Sequence, residues 1–147
     1  MPENEMSDWY QKEQLHFAAD KGELDRVKAL IASGYDVNAF DEGLSLTPLH
    51  YAARAENLEV MKYLLSVGAD VNAHDEERIG ETPLGEVAAS CSYEVAKILT
   101  DAGANPTIPG WMQITALDRA KERKKEEGIR VYELLLSVAI NKYHYRA

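Results

Sequence analysis

Four histidines and one cysteine are the residues of this 147-residue chain with the most chemistry to offer, and their spacing denies them a shared site. His16 and His50 stand 34 residues apart, with no second ligand or carboxylate recurring beside them at a metal-binding step. His74 and His144 are isolated in the sequence. There is no HExxH, no CxxC and no Gly-rich phosphate loop followed by Lys. Cys91 has no histidine paired with it by spacing, which favours a partly buried packing residue over a reactive thiol. A lone cysteine cannot close an intramolecular disulfide either, so nothing calls for an oxidising compartment. The expectation is a protein without catalytic residues, metal ligands or cofactor.

What remains is charge and apolar bulk. The net charge is −9, of which residues 1–120 carry −12 and residues 121–147 carry +3. An acidic body argues against nucleic acid, whose phosphates need a continuous basic face. It favours encounter with a basic protein, while solubility alone is the plainer account of the same charge. The start, Met1-Pro2-Glu3-Asn4-Glu5, is acidic and polar, unlike a signal peptide. No apolar run reaches membrane-spanning length. A cytoplasmic protein, monomeric when free and without a membrane partner, is therefore expected.

The elements that must position these groups are visible as a repeat. Thr47-Pro48-Leu49-His50 returns as Thr82-Pro83-Leu84, wears down to Thr115-Ala116-Leu117, and is preceded by Leu15-His16. The steps from Leu15 to Leu49, Leu84 and Leu117 are 34, 35 and 33 residues. A second phrase keeps the same step, at Gly34-Tyr35-Asp36-Val37-Asn38, Gly68-Ala69-Asp70-Val71-Asn72 and Gly103-Ala104-Asn105. Two phrases with one period are the mark of repeated supersecondary units. Within each unit, Thr caps a helix and Pro fills its first position. Leu and Ala then face inward, and a second apolar stripe runs to a Gly that ends the next helix in the left-handed conformation. Ser7 or Asp8 is the expected cap of the first helix, with Asp8 and Gln11 as a capping-box-like pair. Trp9 and Tyr10 would cover the open end of the stack.

Thr47-Pro48-Leu49-His50-Tyr51-Ala52-Ala53, Leu64-Leu65 and Gly68-Ala69-Asp70-Val71-Asn72-Ala73 together resemble the ankyrin repeat. The resemblance implies an all-α fold, an α-solenoid of helix-turn-helix pairs joined by β-hairpin-like fingers. It also implies that His16 and His50 are structural, bonding nearby backbone and joining fingers. A disordered leader is expected over 1–6 and one domain over 7–140, with repeats at about 7–38, 39–72, 73–105 and 106–140. The tail 141–147 has no periodicity and is expected to fray. The usual finger runs eight residues from its Asn to the next Thr, whereas the three here run nine, ten and ten. Insertions of this kind fall on the loop face that binds.

Those fingers, with the inner helices, are the expected partner-binding surface. The first offers Phe40, Asp41, Glu42 and Leu44, and the second His74, Asp75, Glu76, Glu77, Arg78 and Ile79. The third offers uncharged bulk at Ile108, Trp111 and Met112. Arg54 and Ser90 extend the surface along the inner helices. An aromatic anchor in a charged surround has the composition of a protein-binding hot spot. Solvated acidic loops, and packing of Trp111 over the last repeat, are the plainer alternatives. The expected function is non-catalytic binding of a protein, as a dedicated inhibitor such as a toxin-neutralising immunity protein. The alternative is an adaptor joining two proteins, with the basic stretch Lys121–Lys125 on a second surface.

Overall fold

Each Thr-Pro step starts a helix for a local reason. The Thr47 side chain accepts the N–H of His50 at 3.4 Å, and the His50 ring Nδ1 accepts the N–H of Thr47 at 3.0 Å. Two of the donors that a helix start leaves orphaned are thereby satisfied. Thr82 accepts from Gly85 N at 3.0 Å, and Thr115 exchanges bonds with Asp118 in the same way as Thr47 with His50.

The computed structural model describes residues 9–78 and 80–146. A helical turn at residues 9–12 precedes α1 (Gln14–Lys21) and α2 (Leu24–Ala32). Then come α3 (Pro48–Arg54), α4 (Leu58–Ser66), α5 (Pro83–Val87), α6 (Tyr93–Asp101), α7 (Ala116–Lys121) and α8 (Glu126–Tyr143). The expected leader over 1–6 and the cap at Ser7 or Asp8 lie outside the described residues. The helices stack in two rows. One row runs α1, α3, α5, α7 and the other α2, α4, α6, α8, each helix packing on the next in its row. Leu15, Leu49, Leu84 and Leu117 bury one layer, and Val27, Leu64, Leu99 and Leu135 the other. Ala52, Ala53 and Ala88 sit between the rows with no exposed surface to speak of, and their small side chains let the helices approach.

Side chains carry the repeat from one unit to the next. The His16 Nε2 lies 2.7 Å from Ala39 O, and the His50 Nε2 lies 2.7 Å from Glu81 O. The Asn38 amide donates to Gly68 O at 3.1 Å and accepts Asp70 N at 2.7 Å. Asn72 does the same one unit on, to Gly103 O and from Asn105 N. Gly34, Gly68 and Gly103 have φ near +100°, which a side chain would strain.

Among the described residues there is no strand, and the fingers are hairpin-like loops. Backbone bonds close the first, Asp41 N to Leu46 O, and the third, Gly110 N to Ile114 O, each at 2.9 Å. The tail differs from expectation: α8 runs on to Tyr143 and does not stop at 140. Val131, Leu135 and Ala139, four residues apart, keep a buried stripe along it. The Tyr143 hydroxyl reaches back to Gly103 O at 3.3 Å, and His144 ends the helix at φ +55°.

Candidate functional site

Finger one, residues 39–46, is built on two carboxylates that point into the protein. Asp41 is only 6% exposed. One of its oxygens accepts the N–H groups of Leu44 and Leu46, and the other takes the hydroxyl of Tyr51. Asp41 therefore corrects the sequence expectation: it shapes the finger and presents no charge to a partner. Burial, then the bond to Asp41, pushes the Tyr51 phenol well above its ordinary range. Glu13 occupies the position that Thr fills in later units, and its carboxylate accepts Glu42 N at 3.0 Å. So Phe40, Glu42 and Leu44 are left on the outside, all exposed.

Finger two contains the turn Glu76–Arg78. Asp75 holds that turn, accepting Glu77 N at 3.1 Å and standing 3.9 Å from the Arg78 guanidinium. Arg78 reaches across to finger one and donates to Glu42 O at 3.2 Å. It is a tie between fingers as well as an exposed charge. His74 is half-buried, its Nδ1 2.8 Å from Asn72 O and its Nε2 3.5 Å from Glu76. Glu76 and Glu77 stand exposed, and Phe40 lines the same shallow groove as His74 and Glu76. Ile79 lies outside the described residues.

Finger three is held by a residue that the sequence reading passed over. Glu81, just before the Thr82 cap, accepts Trp111 N at 2.9 Å and pairs with Arg119 at 3.3 Å. It thus clamps the third finger to the root of the second. The only sequence signal for it is a carboxylate beside a capping Thr, which by itself says nothing about reach. Beyond the clamp the chain turns tightly, with Met112 and Gln113 both at φ near +60°, an uncommon conformation for residues with a side chain. The turn leaves Trp111 59% and Met112 67% exposed, while Ile108 is half-buried.

The inner helices continue this surface. Arg54 and Ser90 are exposed, and Arg54 lies 3.8 Å from Glu86 and over the Tyr51 ring. Burial raises the Glu86 carboxyl pKa, with nearby Arg54 opposing the shift. Arg123, in the basic stretch, turns inward and donates to Ala88 O and Cys91 O. Lys121, Lys124 and Lys125 remain exposed.

The remaining titratable groups belong to the scaffold. Burial lowers the His50 imidazole to about 4 and raises the Cys91 thiol to about 11. A thiol so buried has little thiolate at neutral pH. Among the described residues no group of three or more His, Cys, Asp or Glu side chains is placed to hold a metal ion. Among them, no helix is long and apolar enough to cross a membrane.

The three fingers therefore stand in one row, coupled through Arg78 and Glu81. They present Phe40, Leu44, Trp111 and Met112 among the carboxylates of Glu42, Glu76 and Glu77. A family model described as ankyrin repeats, three copies, matches residues 15–109. The match takes in α1 to α6, and the α7–α8 pair stacks beyond it. No curated protein matches the chain.

Proposed function

The chain belongs to the ankyrin-repeat family, whose repeats serve as protein–protein interaction modules, and we propose that its partner is a basic protein gripped by the finger row and the inner helices. The observation that carries this is the exposed Trp111–Met112 tip, rigidly based on Glu81 and set beside exposed carboxylates on the neighbouring fingers. Apolar anchors with a polar rim make affinity, and the acidic rim sets partner choice and encounter rate.

The specific role is that of a dedicated inhibitor, of the kind an immunity protein plays against a secreted toxin. An acidic body suits a basic, nuclease-like target, because it mimics the charge of the nucleic acid that such a target must bind. On this reading the protein is non-catalytic, cytoplasmic and monomeric when free, and works by occlusion. An adaptor role has one observation in its favour: Lys124, Lys125 and Ile129 are exposed around the start of α8, outside the finger segments. Light scattering on the purified complex separates the two, since an adaptor takes a second protein and an inhibitor does not.

Affinity capture from the native cell extract, with mass spectrometry of what is retained, tests the reading. A single basic protein in equimolar amount is the expected result. Recovery of scaffold or transcription components alone overturns the inhibitor role.

A further inference from the structure

Between the turn at residues 9–12 and finger one lies a groove of about 430 Å³ that joins apolar walls to acidic side chains. Trp9 and Leu44 flank it, both exposed, with Tyr51 beneath. The carboxylates of Glu13, Asp41 and Glu42 line it, and no cation does. Lys12 lines the neighbouring groove with Glu13 and Glu42, and Arg54 lies over the Tyr51 ring. Arg54 pairs with Glu86, and Arg78 pairs with Asp75 while donating to the backbone of Glu42. Asp41 is fully used by its own finger and Tyr51, and one Glu13 oxygen is used by Glu42 N. The Glu42 side chain, by contrast, has no ion-pair partner among the described residues. An indole and an aliphatic wall beside the unpaired carboxylate of Glu42 complement one kind of side chain: a long apolar stem that ends in a cation.

We propose that this groove takes an arginine side chain of the partner, its stem on Leu44, its guanidinium against Trp9 and the Glu42 carboxylate. The choice of arginine over lysine is physical. A guanidinium is planar, stacks on an indole, and is more weakly hydrated than an ammonium, so it leaves water for a half-apolar groove more readily. It can also face two carboxylate oxygens at once. The site deepens the reading of a basic partner and rests on it, giving the N-terminal end of the finger row its own specificity contact. Trp111 supplies the apolar anchor at the other end.

The groove can be tested without the partner. N-acetyl-arginine amide is titrated into the full chain at constant ionic strength, following the indole N–H signals of Trp9 and Trp111 by NMR. Trp111→Phe assigns which is which. Saturable shifts of the Trp9 signal in the millimolar range are expected. Binding should be at least tenfold weaker for the neutral N-acetyl-citrulline amide, weaker for the lysine amide, and weakened at least threefold by Glu42→Gln. That variant changes an exposed side chain, and an unchanged melt will show that the fold persists. Equal response to citrulline, an unaffected Glu42→Gln protein, lysine binding as tightly as arginine, or no shift at Trp9 overturns the assignment. None of these results bears on whether the chain captures a protein from the extract, so failure of the groove and failure of the proposed function are told apart.

Discussion

The carboxylate of Glu81 accepts the backbone N–H of Trp111 at 2.9 Å, although the two residues are thirty positions apart and lie in different fingers. Through that bond, and the pairing of Glu81 with Arg119, the most exposed aromatic residue of the third finger is fixed to the base of the second. A binding surface made of loops thereby acquires a rigid spacing.

The clamp is testable by removing either side of it. Glu81→Ala takes the acceptor from Trp111 N–H and leaves Arg119 unpaired, which should cost about 1–3 kcal/mol of unfolding free energy. Gly110→Ala should do nearly the same, because a Cβ there collides with the Glu81 carboxylate and must push it off both partners. If the clamp is real, the double variant loses much less than the sum of the two, as measured by urea denaturation. Full additivity would show that the two positions act separately.

His50 ties stability to pH. Its imidazole is held at about 4 by burial, against an ordinary value of 6.5, and its Nδ1 must stay unprotonated to accept Thr47 N–H. Between those values the unfolded chain binds a proton that the folded chain refuses, so stability rises with pH. The contribution is complete above about pH 6.5 and is lost as pH falls toward 4, with a size on the order of 3 kcal/mol. Carboxylates titrate in the same range, so the measure is wild type minus His50→Gln. That difference should grow from pH 4 to 6.5 and be flat above. A flat difference throughout contradicts the buried neutral imidazole.

Much of this architecture was legible because it repeats. Leu49, Ala52, Ala53 and Leu64 could be placed inside from periodicity alone, and Thr47, Pro48 and Gly68 from their effects on backbone conformation. Asp41 and Glu81 were not legible, because they lie in the fingers, where nothing recurs to be compared. Whether such a carboxylate faces water or the protein depends on which N–H groups the neighbouring unit leaves unpaired, and that is a tertiary fact. Arg123 hid for the same reason, in a run of charge that reads as solvated. The last turn of α8 was not legible because the contact that holds it, the Tyr143 hydroxyl on Gly103 O, lies past the end of the stripe and belongs to no periodic pattern.

The scaffold should behave as a close-packed core. Leu64 is fully buried in α4, and Leu64→Ala should destabilise the protein by about 2–5 kcal/mol, the range for a leucine cavity. Thermal and urea melts would show it, and an unchanged melt would mean that α4 packs differently.

Charge on the second finger should act on rate. Replacing Glu76 and Glu77 together by Ser, while keeping Asp75 because it holds the turn, should leave stability within about 0.5 kcal/mol. Association with the partner should slow, more so at low salt, and dissociation should change little. An unaltered association rate at low salt would remove the steering role from these two residues.

The most direct measurement is the affinity of the captured partner for Trp111→Ala, set beside Lys97→Ala on the exposed face of α6. Both changes are at exposed side chains, so the fold should survive both. If the finger row is the binding surface, Trp111→Ala weakens binding by about 2 kcal/mol or more while Lys97→Ala leaves it unchanged. Loss of affinity in Lys97→Ala, with Trp111→Ala binding as well as the native chain, would place the partner on the other side of the solenoid and contradict the account.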